Sequence, residues 1–300
     1  MNKTLIVATR GGALAVAQTG IVVSAIQKIY PDIDIRIKRI ASEGDKDRRT
    51  TLWELKQTGF FTSLLEDALL AGQADAAVHS FKDLPTAIRD GLSIGAVLNR
   101  EFPEDCLVSA SPIKTIEELP KEAKVGTSSL RRIVQLKCLR PDLQCLPIRG
   151  NVNTRLKKLD EGDFDAIVLA RAGLERLGLG DKISIIFDPT KFIPAPAQGA
   201  LAIEIRADDD ETNQIVSHLD DKKARIETTA ERLVFSALGC GCHAPAGVFA
   251  KITGSQITIW GCFSDSDGSN FRQSSICGPA ADYESLAQTL ADKLRPQKGL

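Results

Sequence analysis

The first eighty residues switch repeatedly between two hydrophobic periods, and that alternation constrains the fold more than any other feature of the chain. TLIVAT (4–9) is a short β-rich run, while LAVAQTGIVVSAIQKIY (14–30) carries a helical spacing of apolar residues that stops before Pro31. IDIRIKRI (33–40) alternates strictly, as a half-buried strand does. FFTSLLEDALLAG (60–72) reads as an amphipathic helix, and ADAAVHS (74–80) returns to a strand. Strand, helix, strand, helix, strand in this order predicts a mostly parallel sheet covered by helices. The intervening residues 41–59 are polar and poorly periodic, a loop of the kind that carries function.

A similar set restarts after NREFPEDC (99–106), which reads as a crossing between domains. AKVGTSSLRRIVQLKCLR (123–140) predicts a strand that turns into a helix. LQCLPIR (143–149) and DAIVLA (165–170) predict strands on either side of a helix over 152–160. FIPAPAQGALAIEIR (192–206) begins as a proline-rich turn and ends as a strand, and a helix is expected over 223–238. Strand candidates near 248–253, 256–263 and 270–276, with a closing helix over 282–294, describe a smaller α+β unit with antiparallel strands. The fold class is therefore α/β with a small C-terminal α+β domain, and 300 residues suit two or three domains.

Composition excludes several functions. The net charge of −1 gives no global electrostatic case for nucleic acid or an anionic membrane surface. No segment reaches the roughly 18 apolar residues of a membrane span. Seven cysteines, an odd number scattered from Cys106 to Cys277, do not form a secreted disulfide framework and suit reduced thiols in the cytoplasm.

Three signals carry chemistry. In VGTSSLRR (125–132) a strand turns at Gly126 into a helix led by Thr127, Ser128 and Ser129, so backbone N–H groups and hydroxyls are offered to an anion. Arg131 and Arg132 add fixed charge suited to a bidentate grip on a carboxylate. ATRGGALA (8–15) repeats the geometry with Arg10, and IRGNVNTRL (148–156) adds Arg149 and Arg155. Residues 121–158 hold ten Lys/Arg against two Asp/Glu, an imbalance that favours an anion cleft over a solvated basic face because these residues sit where parallel strands end. Aromatics are only 5% and do not interleave with the arginines, and the P-loop spacing is missing, so small polycarboxylates fit better than polymers or nucleotides. VHSFKDLP (78–85) puts Lys82 and Asp83 at the same edge, either as a surface ion pair of little value or as an acid–base group among cations; His79 reads as a core or sheet-edge histidine. GCGCHAPAG (239–247) lacks both the second pair of a structural zinc site and the C-x-x-C of a redox pair. It leaves two readings: inert thiols, or a nucleophilic thiolate in a glycine-flanked loop.

Taken together and in order, ATRGGALA, VHSFKDLP, VGTSSLRR, IRGNVNTRL, PAQGALAIEIR and TTAERLVFSALGCGCHAP resemble the porphobilinogen deaminases, or hydroxymethylbilane synthases, from Ile6 to at least Gly247 and more weakly beyond. The resemblance implies two periplasmic-binding-protein-like α/β domains, over 1–99 with 199–217 and over 104–193, with an interdomain cleft. It also implies a small α+β domain over 222–300 carrying the cofactor loop. Family members join four porphobilinogen molecules with loss of ammonia and release linear hydroxymethylbilane. They build on a dipyrromethane primer held as a thioether, which by the Gly-Cys-x-x-Pro pattern falls on Cys242. Asp83 matches the catalytic aspartate. Arg10, Lys82, Arg131, Arg132, Arg149, Arg155 and Arg176 are implied to neutralise acetate and propionate groups, with Gln18, Ser80, Thr127, Ser128, Ser129, Asn151 and Gln198 also in contact. The resemblance implies no metal, a monomer, and neither nucleic acid nor membrane as partner. The chain departs from the family at Gly12, where a serine is usual, and at Thr58, Ser63 and Leu64, which replace two lysines and a glutamate. A non-catalytic two-domain binding protein for small polycarboxylates is the competing expectation.

Overall fold

The computed structural model describes residues 4–40, 63–239, 245–265 and 267–295. The chain divides into two compact units, Met1–Glu101 with Gly199–Arg225, and Phe102–Gln198 with Ile226–Leu300.

In chain order, the first unit contains β1 (Thr4–Arg10), α1 (Ala13–Ile29), β2 (Asp34–Ile40), α2 (Ser63–Leu70), β3 (Ala76–Ser80) and β4 (Leu92–Val97). The second unit then supplies β5 (Asp105–Ser109), β6 (Lys124–Gly126), α3 (Leu130–Leu139) and β7 (Gln144–Leu146). These are followed by α4 (Val152–Asp160), β8 (Ala166–Ala170), α5 (Arg171–Glu175) and β9 (Ile185–Ile186). The chain returns to the first unit for β10 (Leu201–Arg206) and α6 (Asp210–Val216). It crosses into the second unit within α7 (Lys222–Ala237) and ends there with β11 (Ala246–Thr253), β12 (Gln256–Phe263), β13 (Arg272–Pro279) and α8 (Tyr283–Leu294).

The first unit is a five-stranded sheet of order β2-β1-β3-β10-β4. Alternation along β1 explains its two faces. Leu5 and Val7 pack with Val22 and Ile26 of α1, while Ala8 packs with Leu65 and Leu69 of α2. A strand covered on both sides reads as a continuous apolar run, as TLIVAT does. The uncovered edge strand β2 has no buried residue, which is why its sequence alternates instead. Helix α1 stops at Ile29, where Pro31 would lack an N–H and clash with the preceding turn.

The second unit has a five-stranded sheet of order β7-β6-β8-β5-β9. Leu107, Val125 and Val168 pack on one face with Leu136 of α3, and Cys106, Val108, Ile167 and Leu169 pack on the other with Leu156 and Leu159 of α4. A separate antiparallel sheet, β11-β12-β13, builds its own core from Val248, Ala250, Ile257 and Ile259 against Ala230 and Val234 of α7 and Leu290 and Leu294 of α8.

Both large sheets are mixed, each with a single reversed strand in an otherwise parallel set, so the mostly parallel expectation holds for strand direction while β10 and β5 depart from it. In each, four strands share one direction and the one in fourth place runs against them: β10 is antiparallel to β3 and β4, and β5 is antiparallel to β8 and β9. The arrangement repeats in both units, and the α/β class with a small C-terminal α+β part is as expected. Strand β5 starts at Asp105, inside the stretch read as a crossing, and β4, β9, α5 and α6 were not foreseen. The polar loop 41–59 lies outside the described residues.

Candidate functional site

In the first unit, β1 and β3 lie side by side and parallel, so their last residues, Arg10 and Ser80, share one sheet edge. Buried Gln18 on α1 donates from Nε2 to Ser80 Oγ at 2.8 Å. Beyond Ser80 the chain makes one 3-10 turn, Phe81–Asp83. Phe81 and Leu84 are buried and pin the turn from both ends, and the Phe81 N–H is tied to the Ala200 carbonyl at 3.1 Å. Lys82 between them is half-buried and Asp83 is exposed. Rigid neighbours thus present a carboxylate to solvent at the end of a parallel strand, where open α/β sheets bind ligands. His79, one residue earlier, is buried with Nε2 3.0 Å from Glu204 Oε2, close but not aligned as a hydrogen bond. It is a core histidine, as its sequence context indicates.

In the second unit the corresponding edge is cationic. Strand β6 ends at Gly126 and delivers Thr127, Ser128 and Ser129 to the start of α3. Thr127 is buried, its N–H bonded to the Leu146 carbonyl at 2.9 Å. Ser128 Oγ donates to the Ile148 carbonyl at 2.7 Å and accepts from the Ile148 N–H at 3.0 Å, fastening the β6 loop to the chain leaving β7. Asn151 caps α4, accepting from the Thr154 N–H at 2.9 Å. Arg155 donates from Nε to the Gly150 carbonyl at 2.8 Å. Arg149 is half-buried, and its Nη2 is enclosed with no hydrogen-bond partner among the described residues. Arg176 closes α5 as its C-cap.

Arg131 and Arg132, both buried, grip a carboxylate that comes from the protein itself. Arg131 Nη1 reaches Asp105 Oδ2 at 2.7 Å and the Ile193 carbonyl at 2.7 Å. Arg132 reaches Asp105 Oδ1 from Nε at 3.1 Å and from Nη2 at 2.6 Å, and its Nη1 reaches the Val168 carbonyl at 2.9 Å. Gln198 Nε2 adds a third donor side chain to Asp105 Oδ1 at 3.0 Å and also holds the Pro103 carbonyl at 2.9 Å. Asp105 is completely buried. That burial alone would raise its pKa, but the charges and hydrogen bonds of Arg131 and Arg132 override it and hold the carboxyl well below the usual range. Arg155 is pulled down to about 10, first by burial and then by the positive charge of Arg132. Two guanidiniums share one carboxylate, and a third guanidinium feels the surplus. Chemically this corner calls for an anion.

The structure therefore narrows the expected contacts. Arg10, Gln18, Ser80, Lys82 and Asp83 gather at one edge of the first unit, and Thr127, Ser128, Ser129, Arg131, Arg132, Arg149, Asn151 and Arg155 gather around one edge of the second. Within the second set, Arg131, Arg132, Ser128, Asn151 and Arg155 already have protein partners, as has Gln198 outside it. Asp105 was missed. Its partners are 26, 27 and 93 residues away, and no local spacing signals them. Cys242, with Cys240, His243 and Thr58, lies outside the described residues. Ser63 and Leu64 open α2, and a Cβ built on Gly12 meets nothing within 4 Å. Among the described residues no group of three or more His, Cys, Asp or Glu is placed to hold a metal ion, and no helix is long and apolar enough to cross a membrane.

Two family models match the chain. "Porphobilinogen deaminase, dipyromethane cofactor binding domain" covers residues 5–214, and "Porphobilinogen deaminase, C-terminal domain" covers residues 225–296. Among curated relatives, the porphobilinogen deaminase of Roseiflexus sp. (strain RS-1) is 43% identical over 299 residues, 100% of this chain and 98% of that one. The porphobilinogen deaminase of Vesicomyosocius okutanii is 43% identical over 294 residues, covering 98% and 96%. That of Natranaerobius thermophilus is 42% identical over 289 residues, covering 96% and 93%.

Proposed function

Because this chain belongs to the porphobilinogen deaminase family, we propose that its two strand-end clusters divide one reaction, Asp83 serving the chemistry and the arginines binding carboxylates. The chain is a hydroxymethylbilane synthase, a transferase of tetrapyrrole biosynthesis that carries a dipyrromethane cofactor and condenses four porphobilinogen molecules with loss of ammonia. The alternative of a non-catalytic polycarboxylate-binding protein is not favoured by full-length relatives that all carry the enzyme's name.

One observation carries the division of labour. After Asp105 is counted, the Arg132–Arg155 corner keeps surplus positive charge, and the Arg149 Nη2 beside this segment is enclosed without a partner among the described residues. A buried donor left unmade costs free energy that a ligand acceptor would restore. The acetate and propionate groups of a pyrrole are such acceptors, so the residues present fit a polycarboxylate cofactor and its product chain. When bound, the dipyrromethane supplies a free pyrrole position from which the product is extended. Cys242 is its attachment point in this reading. Arg149 and Arg155, with Arg10, Lys82 and Arg176, hold the carboxylates, assisted by Thr127 and Ser129. Arg132 adds positive charge that is felt at Arg155, and Gln18 orients Ser80 next to the catalytic turn.

Asp83 is placed to act on the incoming substrate. Departure of ammonia from the aminomethyl group leaves positive charge on the pyrrole, and a carboxylate held by Phe81 and Leu84 can accept the ring N–H and offset that charge. A preorganised partner of this kind is commonly worth about 3 kcal/mol or more of barrier. The domains in this reading are 1–99 with 199–217, 104–193, and 222–300, and the protein acts as a cytoplasmic monomer without nucleic acid or membrane partners. The intact mass of purified protein tests the cofactor: an excess of two linked pyrrole units on the peptide containing Cys242 is expected, and an unmodified active protein would refute it. Ammonia release from porphobilinogen tests the catalyst: it is expected from wild type and lost in Asp83→Ala. Retained turnover in that variant would remove Asp83 from the chemistry.

A further inference from the structure

Asp105 belongs to none of the roles above, yet every polar atom of its side chain is committed. Its Oδ2 holds Arg131 and its Oδ1 holds Arg132 and Gln198, all at 2.6–3.1 Å and all buried. The two guanidiniums then go to different places. Arg131 Nη1 also takes the Ile193 carbonyl, and Gln135 holds the same residue from both sides, donating to its carbonyl at 3.0 Å and accepting from its N–H at 2.6 Å. The next carbonyl, of Pro194, receives the Val248 N–H of β11 at 3.0 Å. Beside it the Gly247 backbone is so close that a Cβ there would lie 2.6 Å from the Ile193 carbonyl oxygen and 3.0 Å from Arg131 Cδ. Arg131 thus fixes the strand that follows Cys242 in the chain. Arg132 turns the other way, through the Val168 carbonyl, and its charge reaches Arg155.

We propose that Asp105 is the positioning residue of the anion site: one buried carboxylate holds Arg132 against the Val168 carbonyl of β8 and sets Arg131 against the strand that follows the cofactor cysteine. The proposal rests on the functional reading given above and deepens it. A single carboxylate between two arginines holds them in place without cancelling them, because one negative charge cannot offset two positive ones. An arginine alone would be mobile, and an arginine with its own carboxylate would be neutralised; the shared carboxylate avoids both. The placement of Gln198 follows the same logic, since its amide fixes the remaining face of Oδ1.

The experiment compares wild type, Asp105→Asn and Gln198→Met by three measurements: steady-state ammonia release, the share of molecules carrying the two-pyrrole mass excess, and calorimetric binding of tricarballylate, a pyrrole-free tricarboxylate. Asp105→Asn is expected to raise KM for porphobilinogen tenfold or more, with kcat per primed molecule within threefold of wild type. Tricarballylate affinity is expected to fall by a similar factor, and the primed share to drop. Gln198→Met keeps both ion pairs and is expected to raise KM about threefold. An Asp105→Asn protein that melts earlier but keeps KM, tricarballylate affinity and primed share would show a purely structural carboxylate and overturn the proposal. If that variant does not fold, an unchanged KM in Gln198→Met overturns it equally. Wild type that binds tricarballylate in an Asp105-dependent way but releases no ammonia would instead sink the enzymatic reading while supporting the placement of the anion site.

Discussion

The two large sheets share one plan, four strands in one direction with the one in fourth place reversed, and each places an aspartate near a strand end; the two aspartates have opposite surroundings. Asp83 follows a parallel strand in a short turn and is exposed. Asp105 opens a reversed strand, is wholly buried and is held by two arginines and a glutamine. A carboxylate that meets a substrate must stay accessible and unsatisfied, whereas one that arranges cations must be enclosed and fully bonded. In the proposed reading, the same residue type on the same scaffold serves chemistry or architecture according to whether the chain returns partners to it.

Exchanging each aspartate for asparagine is the largest test of that contrast. Asp105→Asn leaves two guanidiniums sharing a neutral amide in a buried place, where losing one member of an ion pair typically costs about 3–5 kcal/mol, so a large fall in melting temperature is expected. Asp83→Asn is expected to lower kcat by about 100-fold or more while the melting temperature stays within the roughly 0.5 kcal/mol typical of surface changes. The contrast breaks if Asp83→Asn destabilises the protein or Asp105→Asn does not. Acid unfolding sharpens the same point. The folded pKa of Asp105 is depressed, so its stabilisation is complete above the ordinary unfolded value of about 3.9 and drains away as pH falls below it. The stability gap between wild type and Asp105→Asn should therefore be constant at neutral pH and narrow in strong acid.

Glycines in the two units give the next effect. Gly247→Ala in the second unit drives a methyl into the Ile193 and Pro194 carbonyls, and overpacking of this kind costs about 1–3 kcal/mol, measurable by denaturant unfolding. Smaller still is Arg155→Gln. Removing one of two mutually repelling cations should raise the melting temperature of ligand-free protein slightly, by less than about 1 kcal/mol, while abolishing the extra stabilisation that sulfate gives wild type over chloride. The smallest is Gly12→Ser in the first unit. Gly12 is the N-cap of α1, makes no side-chain cap bond and has open space for a Cβ. A serine there should add a few tenths of a kcal/mol, roughly 1 °C in melting temperature.

Most helices and parallel strands were legible because their apolar spacing is local: Leu5 and Val7 alternate against Ala8, and Val22 and Ile26 recur at helical distance. What local reading missed was set by contacts far along the chain. The direction of β10 depends on pairing Ala202 with His79, more than a hundred residues earlier, and nothing within LAIEIR encodes parallel or antiparallel. Strand β5 was hidden because Pro103 and the acidic residues around it read as a linker, although Asp105 faces arginines rather than water. The cationic corner itself was visible as the ten-to-two charge imbalance of residues 121–158. Its hidden counter-charge was not, because Asp105 lies outside that window. The exposure of Asp83 followed from its place after a parallel strand, which the β3 pattern already indicated.

The reversed fourth strand also sets an order of events during synthesis. When residues 1–101 have emerged, β3 and β4 have no hydrogen-bonded link to each other, because β10 joins them and begins only at Leu201. The second unit's sheet needs nothing beyond Ile186. At bacterial and eukaryotic elongation rates the interval between β4 and β10 is on the order of ten seconds. The later-made sheet is therefore complete while the earlier-made one still waits for the strand that joins β3 to β4, and an exposed β3 edge is the surface that a chaperone would have to cover in the meantime.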